Sequence, residues 1–146
     1  MIWQKRKAGD ARILAKKTPV EIDGKIHNFP SKAEALRYLD LKRLKDAGIV
    51  KEIELQPVFE LQPKYQKCCG HVWTGPLCKS KMPCGLCGKE MPIIRARVYR
   101  ADFRVTYADG HQEIEDVKGM ETEMFKIKRD FFEFKYPELS IKVVPA

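Results

Sequence analysis

The segment "QEIEDVKGMETEMFKIKRDFF", residues 112–132, places two acids and a lysine around a single valine. In an extended chain successive side chains point to opposite faces, so Asp116 and Lys118 share one face while Glu115 and Val117 share the other. The dipeptide Asp109-Gly110 just upstream is a strong hairpin signal, and a turn there folds the preceding run back so that Asp102 comes to lie near Asp116. Neighbouring carboxylates repel unless a cation sits between them, and an oxygen-rich site of this kind suits Mg²⁺ or Mn²⁺. A divalent ion held there polarises a phosphodiester and lowers the pKa of bound water, with Lys118 steadying the attacking water or the developing phosphate charge. The competing reading is structural: Asp102 and Asp116 as solvent-facing strand residues, and Lys118 as their counter-ion. Under either reading strand alternation turns Glu115 away from a metal, and Glu115→Gln is expected to do little.

A second constellation lies between Cys68 and Cys87, which bracket all five cysteines. Cys84-Gly85-Leu86-Cys87-Gly88 is a C-x-x-C-G knuckle whose glycines permit the turn that aims both sulfurs at one ion, the signature of structural Zn²⁺. The remaining two ligands are assigned to Cys69 and Cys78, because adjacent cysteines seldom share one tetrahedral ion. His71 is the first alternate and Cys68 the second. Trp73 is expected to pack on the knuckle.

These residues need elements to position them. The first residues, 1–18, are rich in Lys and Arg and non-periodic, an arm. "VEIDGKIHNF" reads as a hairpin turning at Asp23-Gly24. In "PSKAEALRYLDLKRLKDAGIV" Ser31 is an N-cap and Glu34 its capping-box partner; Leu36, Leu39, Leu41 and Leu44 form the apolar stripe, and Gly48 ends the helix. "KEIELQPVFELQP" gives two short strands broken by proline. Residues 65–92 interrupt the pattern as an insertion. Two further strands meet at Asp109-Gly110, and a last helix follows with Met124, Ile127, Phe131 and Phe134 on its buried side. This order implies an α/β sandwich with a mixed sheet.

With 146 residues and 44% apolar content, the chain is one ordinary domain plus a small insertion. Twenty-eight Lys and Arg against 20 Asp and Glu leave a net charge of +8, which favours a polyanionic partner such as nucleic acid. The sequence has no apolar run of signal-peptide or membrane-spanning length, so a cytoplasmic protein with no membrane contact is expected.

"RADF" followed by "EDVKG" resembles the signature of the PD-(D/E)XK nucleases, with Asp102 and Asp116 as the acids and Lys118 as the lysine; Ala101 stands where the signature has proline. The stretches "DGKIHNFPSKAEALRYLDLKRLKDAGIVKEIELQPVFEL" and "YRADFRVTYADGHQEIEDVKGMETEMFKIKRDFFEFKYP" resemble a family of small phage and prophage endonuclease-like proteins. The resemblance implies a restriction-endonuclease-like core over residues 19–64 and 93–146, a mixed sheet flanked by helices, with residues 65–92 as a zinc-binding insertion. It also implies that Glu34 is a further active-site acid, beside its capping reading. Gln56 and Lys126 are secondary candidates, for orienting the site and for binding phosphate, against an ordinary surface role for each. The implied activity is metal-dependent hydrolysis of DNA, with branched or junction DNA as a substrate by analogy, in a phage or prophage protein of a bacterial host. A homodimer is compatible with this reading. The alternative function is a non-catalytic nucleic-acid-binding module built on the basic surface and the zinc knuckle.

Overall fold

A computed structural model describes residues 17–22, 24–76 and 83–146. The expectations for residues 1–16, for the turn residue Asp23 and for Cys78 fall outside the described residues. In chain order the elements are β1 (Thr18–Ile22), β2 (Lys25–Phe29), α1 (Lys32–Asp46), β3 (Val50–Leu55), β4 (Val58–Gln62), β5 (Tyr65–Cys68), β6 (His71–Trp73), β7 (Ile93–Ile94), β8 (Arg97–Arg100), β9 (Phe103–Tyr107), β10 (Gln112–Lys118), α2 (Glu123–Lys135) and β11 (Ile141–Pro145).

The central sheet runs β11-β10-β9-β3 and is mixed. β9 and β10 form the expected antiparallel hairpin, with Gly110 at φ 92° in its turn, a left-handed backbone that glycine adopts without steric cost. β11 is parallel to β10, and α2 lies between them in sequence, so these three elements form a βαβ crossover. β11 was not anticipated. It occupies the sheet edge, where Pro145, which lacks an N–H, is tolerated.

Each helix buries one face of this sheet. Ser31 caps α1: the Glu34 amide donates to Ser31 Oγ at 3.1 Å. At the other end Gly48 has φ 74°, and the Gly48 and Ile49 amides donate to the Lys45 and Leu44 carbonyls, the double bond of a Schellman stop. Ala35 and Leu41 pack with Phe29, Val50, Phe103 and Val105, and Tyr38 and Leu44 border them. Leu36, expected in the stripe, is 54% exposed.

α2 carries two apolar faces. Phe125 and Phe132 pack with Phe59, Tyr99, Ala101, Ile114 and Ile141 as a second core. Phe132 meets Phe59 edge-on at 4.8 Å between ring centres. The expected buried side is therefore corrected: Met124, Ile127, Phe131 and Phe134 are 62%, 49%, 59% and 88% exposed. Helical periodicity identifies both stripes; aromatic pairing with β4 and β8 decides which one is covered.

The insertion folds as a small three-stranded sheet, β6-β5-β7. Gln66 is fully buried and donates from Nε2 to the Met91 carbonyl at 3.0 Å, tying the knuckle to its own strand. Trp73 is held within its own turn: its Nε1 donates to the Pro76 carbonyl at 3.3 Å, and its ring crosses so close to Gly75 that a Cβ there would sit 2.8 Å from it.

Candidate functional site

The hairpin register pairs Phe103 with Glu115, so Asp102 and Asp116, one step further, face each other across the two strands. Asp102 Oδ2 accepts from the Val117 amide at 2.6 Å, and the Asp102 amide donates to the Glu115 carbonyl at 3.1 Å. The residue is held by β10 from both sides.

Asp116 is 2% exposed. A carboxylate so buried must be satisfied by donors, and two are present: Tyr99 Oη donates to Oδ2 and Lys118 Nζ to Oδ1, both at 2.6 Å. Lys118 Nζ also lies 4.6 Å above the Phe125 ring, which keeps the ammonium on the α2 side. The expected sharing of one face by Asp116 and Lys118 is what the strand shows.

Glu34 enters from the first turn of α1, 9% exposed, with its Oε1 accepting from Ser31 Oγ at 3.0 Å. Its carboxylate therefore does serve the cap. Burial, opposed by the Ser31 bond, raises its pKa, and the neighbouring Asp116 charge pushes the same way. Asp102 is pushed up to about 7, first by burial and then by the Asp116 and Glu34 charges, against the Val117 amide and Lys118. Glu34, Asp102, Asp116 and Lys118 thus form one electrostatic neighbourhood, an acid-rich cluster in which each charge raises the proton affinity of the next acid.

Two cavities open on this cluster. One of about 540 Å³ is bordered by Asp116, Lys118, Arg100, Lys128 and Phe125; another of about 260 Å³ is bordered by Glu34, Asp102 and Gln56. Gln56 has φ 50°, a left-handed conformation that costs a side-chain-bearing residue on the order of 1–3 kcal/mol. The conformation lets its amide donate to the Asp102 carbonyl at 2.9 Å, so the strained residue fixes the backbone of the acid. Lys126 is elsewhere: it pairs with Glu123 at 2.8 Å on the exposed side of α2, and Lys128 lines the cavity instead.

Sequence reasoning missed Tyr99 and Arg37. Tyr99 is held far above its usual pKa by burial and by Asp116, so it stays a proton donor to the carboxylate. Its signal was a hydroxyl-bearing aromatic at an inward position of β8, where a buried acid needs a donor. Glu115 is fully buried and clasped by Arg37, with Nε to Oε2 at 2.7 Å and Nη2 to Oε1 at 2.5 Å. It is engaged by Arg37 and not by Lys118 or Tyr99, and a charge buried with its partner is a matter of folding stability, apart from the small effect on cleavage expected of Glu115→Gln.

In the insertion Cys68, Cys69, Cys84 and Cys87 bring all four sulfurs within 4.8 Å of one another. Cys68 and Cys87 are 3.4 Å apart, as are Cys69 and Cys84. Tetrahedral zinc with thiolates at 2.3 Å separates its sulfurs by about 3.8 Å, within this spread. The four cysteines are close enough to hold a metal ion such as zinc. Adjacent cysteines can share it because Cys69 (φ 40°) and Gly70 (φ 81°) form a two-residue left-handed turn between the paired Cys68 and His71, so strand and turn present both sulfurs together. His71 stands outside the set, with Nδ1 4.0 Å from Cys84 Sγ. The amides of Cys87 and Leu86 lower the Cys84 thiol to about 6, whereas hydrogen bonding to Cys84 and then Cys87 pushes Cys69 up to about 12.

The family model described as "Protein of unknown function (DUF1064)" matches residues 12–145. The chain belongs to the DUF1064 family. Because the match runs through residues 65–92, the cysteine insertion and the carboxylate cluster both lie within the DUF1064 region. No curated protein and no solved structure matches the chain. Among the described residues no helix is long and apolar enough to cross a membrane.

Proposed function

We propose that this protein is a metal-dependent endonuclease of the PD-(D/E)XK type that hydrolyses phosphodiester bonds in DNA. The observation that supports the reading best is the opposition of Asp102 and Asp116 across the hairpin, with Asp102 raised to about 7 by burial and by the other acids. Three acids beside a single lysine are more charge than one ion pair balances, which is what a cation site would use. Glu34, Asp102 and Asp116 offer the oxygen donors that a hard ion prefers. Among the described residues, though, only the four cysteines bring three or more ligand atoms within 4.8 Å of one another, so the carboxylates would have to turn from their present partners to share an ion. Such an ion would supply Lewis-acid polarisation of the phosphate and a more acidic water.

The chain's own groups act around that site. Tyr99 keeps the Asp116 carboxylate in one orientation, and the Val117 amide does the same for Asp102. Lys118 carries its proton to the Asp116 side of the large cavity, where negative charge develops on a phosphate in the transition state. Arg100 and Lys128, on the rim of the same cavity, attract the backbone of the substrate. The four-cysteine centre holds zinc as a staple and takes no part in hydrolysis. A restriction-endonuclease-like core, a preference for branched DNA and a cytoplasmic role in a phage or prophage belong to the same reading, and rest on resemblance.

Incubating purified protein with linear, nicked, flapped and four-way DNA in Mg²⁺ or Mn²⁺, with an EDTA control, tests it. Metal-dependent strand scission that Asp116→Asn abolishes is expected. Tight DNA binding with no scission of any substrate would instead leave the non-catalytic binding module.

A further inference from the structure

The exposed stripe of α2 is spaced as an association surface. Met124, Ile127, Phe131 and Phe134 follow one another at intervals of three, four and three, the a/d pattern of a helix that pairs with another helix. All four are about half exposed or more, and Phe134 at 88% has almost no packing within its own chain. Contiguous exposed apolar surface of this kind marks an interaction site.

The flanks of the stripe identify the partner. Glu123 and Asp130 lie along one edge, at g-type positions; Lys128 and Lys135 lie along the other, at e-type positions. A face with one acidic and one basic edge complements itself only when two copies run parallel, since parallel pairing sets g against e′ and antiparallel pairing sets g against g′. Glu123 then meets the partner's Lys128, and Asp130 meets the partner's Lys135. Lys128 and Asp130 have no ion-pair partner among the described residues. The existing links of Glu123 to Lys126 at 2.8 Å and of Lys135 to Glu60 at 3.6 Å are exposed pairs, weak enough to exchange.

We infer that the protein forms a homodimer through parallel packing of α2 against α2 about a two-fold axis along the helices. Since Lys128 also lines the cavity beside Asp116 and Lys118, both cavities of the dimer flank one seam. The inference does not depend on the hydrolytic reading, because oligomeric state is measured without activity.

Sedimentation of the full chain tests it. The wild type should be a dimer, and Phe134→Glu and Phe131→Glu should each give a folded monomer by far-UV circular dichroism. Asp130→Lys should weaken dimerisation by roughly tenfold, from two repulsive edges, and adding Lys135→Glu should restore it. A monomeric wild type, as when the chain's own first 16 residues or a different protein covers the stripe, overturns the inference. So does a dimer indifferent to both Phe substitutions, or one that the double charge exchange does not rescue.

Discussion

Tyr99 and Lys118 divide the carboxylate of Asp116 between them, one oxygen each, both at 2.6 Å. Tyr99 is inside the second core and Lys118 at the edge of the cavity, so one donor is fixed and the other is free to move. Tyr99→Phe removes the fixed donor and leaves Oδ2 buried without it. We expect a loss of about 1.5–3 kcal/mol in denaturant unfolding, the range for a hydrogen bond to a charged group. Cleavage should persist at a reduced rate and need more Mg²⁺, since the acid remains but its orientation is less defined.

Asp116→Asn and Lys118→Ala should each abolish cleavage while leaving DNA affinity within a few-fold of wild type, because both act on the transition state more than on the duplex. Gel-shift and single-turnover cleavage on the same preparations distinguish the two effects. Near-normal turnover in either variant would sink the hydrolytic assignment.

The Arg37–Glu115 clasp makes an asymmetric prediction. Arg37→Ala leaves a fully buried carboxylate with only the longer 3.9 Å contact to Lys142 Nζ and should cost up to about 3–5 kcal/mol of unfolding free energy. Glu115→Gln leaves an arginine that still reaches solvent, and should cost less. Once folded, Glu115→Gln should cleave like the wild type, since its side chain lies on the α1 face of β10. Loss of cleavage at unchanged stability would move Glu115 into the active site.

How much of this was legible beforehand follows the range of the interactions. The Asp109-Gly110 turn, the Ser31 cap and the Gly48 stop are decided within a few residues, and the structure has all three. Alternation also placed Asp116 beside Lys118. What failed needed distant partners: α2 offers two apolar stripes, and only Phe59 and Tyr99, more than 20 residues away, select Phe125 and Phe132. β11 escaped notice because parallel pairing is a tertiary event with no local signal. Adjacency alone ranks Cys68 behind His71 as an alternate ligand; the left-handed turn at Cys69, which makes both sulfurs available, has no signal in the spacing.

In the metal-free protein pH should act through Asp102. Its folded pKa of about 7 lies above the ordinary 3.8, so the native state holds a proton that the unfolded chain gives up. Stability therefore falls as pH rises from about 4 to about 7, the opposite of a salt-bridged acid. Glu34, also raised, adds to the same slope at the acidic end. A divalent cation replaces the proton, so added Mg²⁺ should flatten the decline, and its affinity should grow as pH rises towards 7. Thermal melts over this range with EDTA or Mg²⁺ check it; a slope that rises with pH in EDTA would show that the acids are ion-paired and need no cation.

The cysteine centre gives the sharpest residue-level test. Cys68→Ser, Cys69→Ser, Cys84→Ser and Cys87→Ser, made separately, should each lose the bound zinc, which elemental analysis should find at about one per chain for a four-thiolate site. His71→Ala should retain it, since Nδ1 lies outside the sulfur set. The knuckle strands have their own sheet, apart from the two cores on the central sheet, so a zinc-free variant should lose protection from hydrogen exchange in residues 65–76 and 83–92 before residues 103–118. It should keep some Mg²⁺-dependent cleavage, because the carboxylate cluster is held by β9, β10 and α1. Full zinc content in both Cys68→Ser and Cys69→Ser would remove the adjacent pair from the coordination shell.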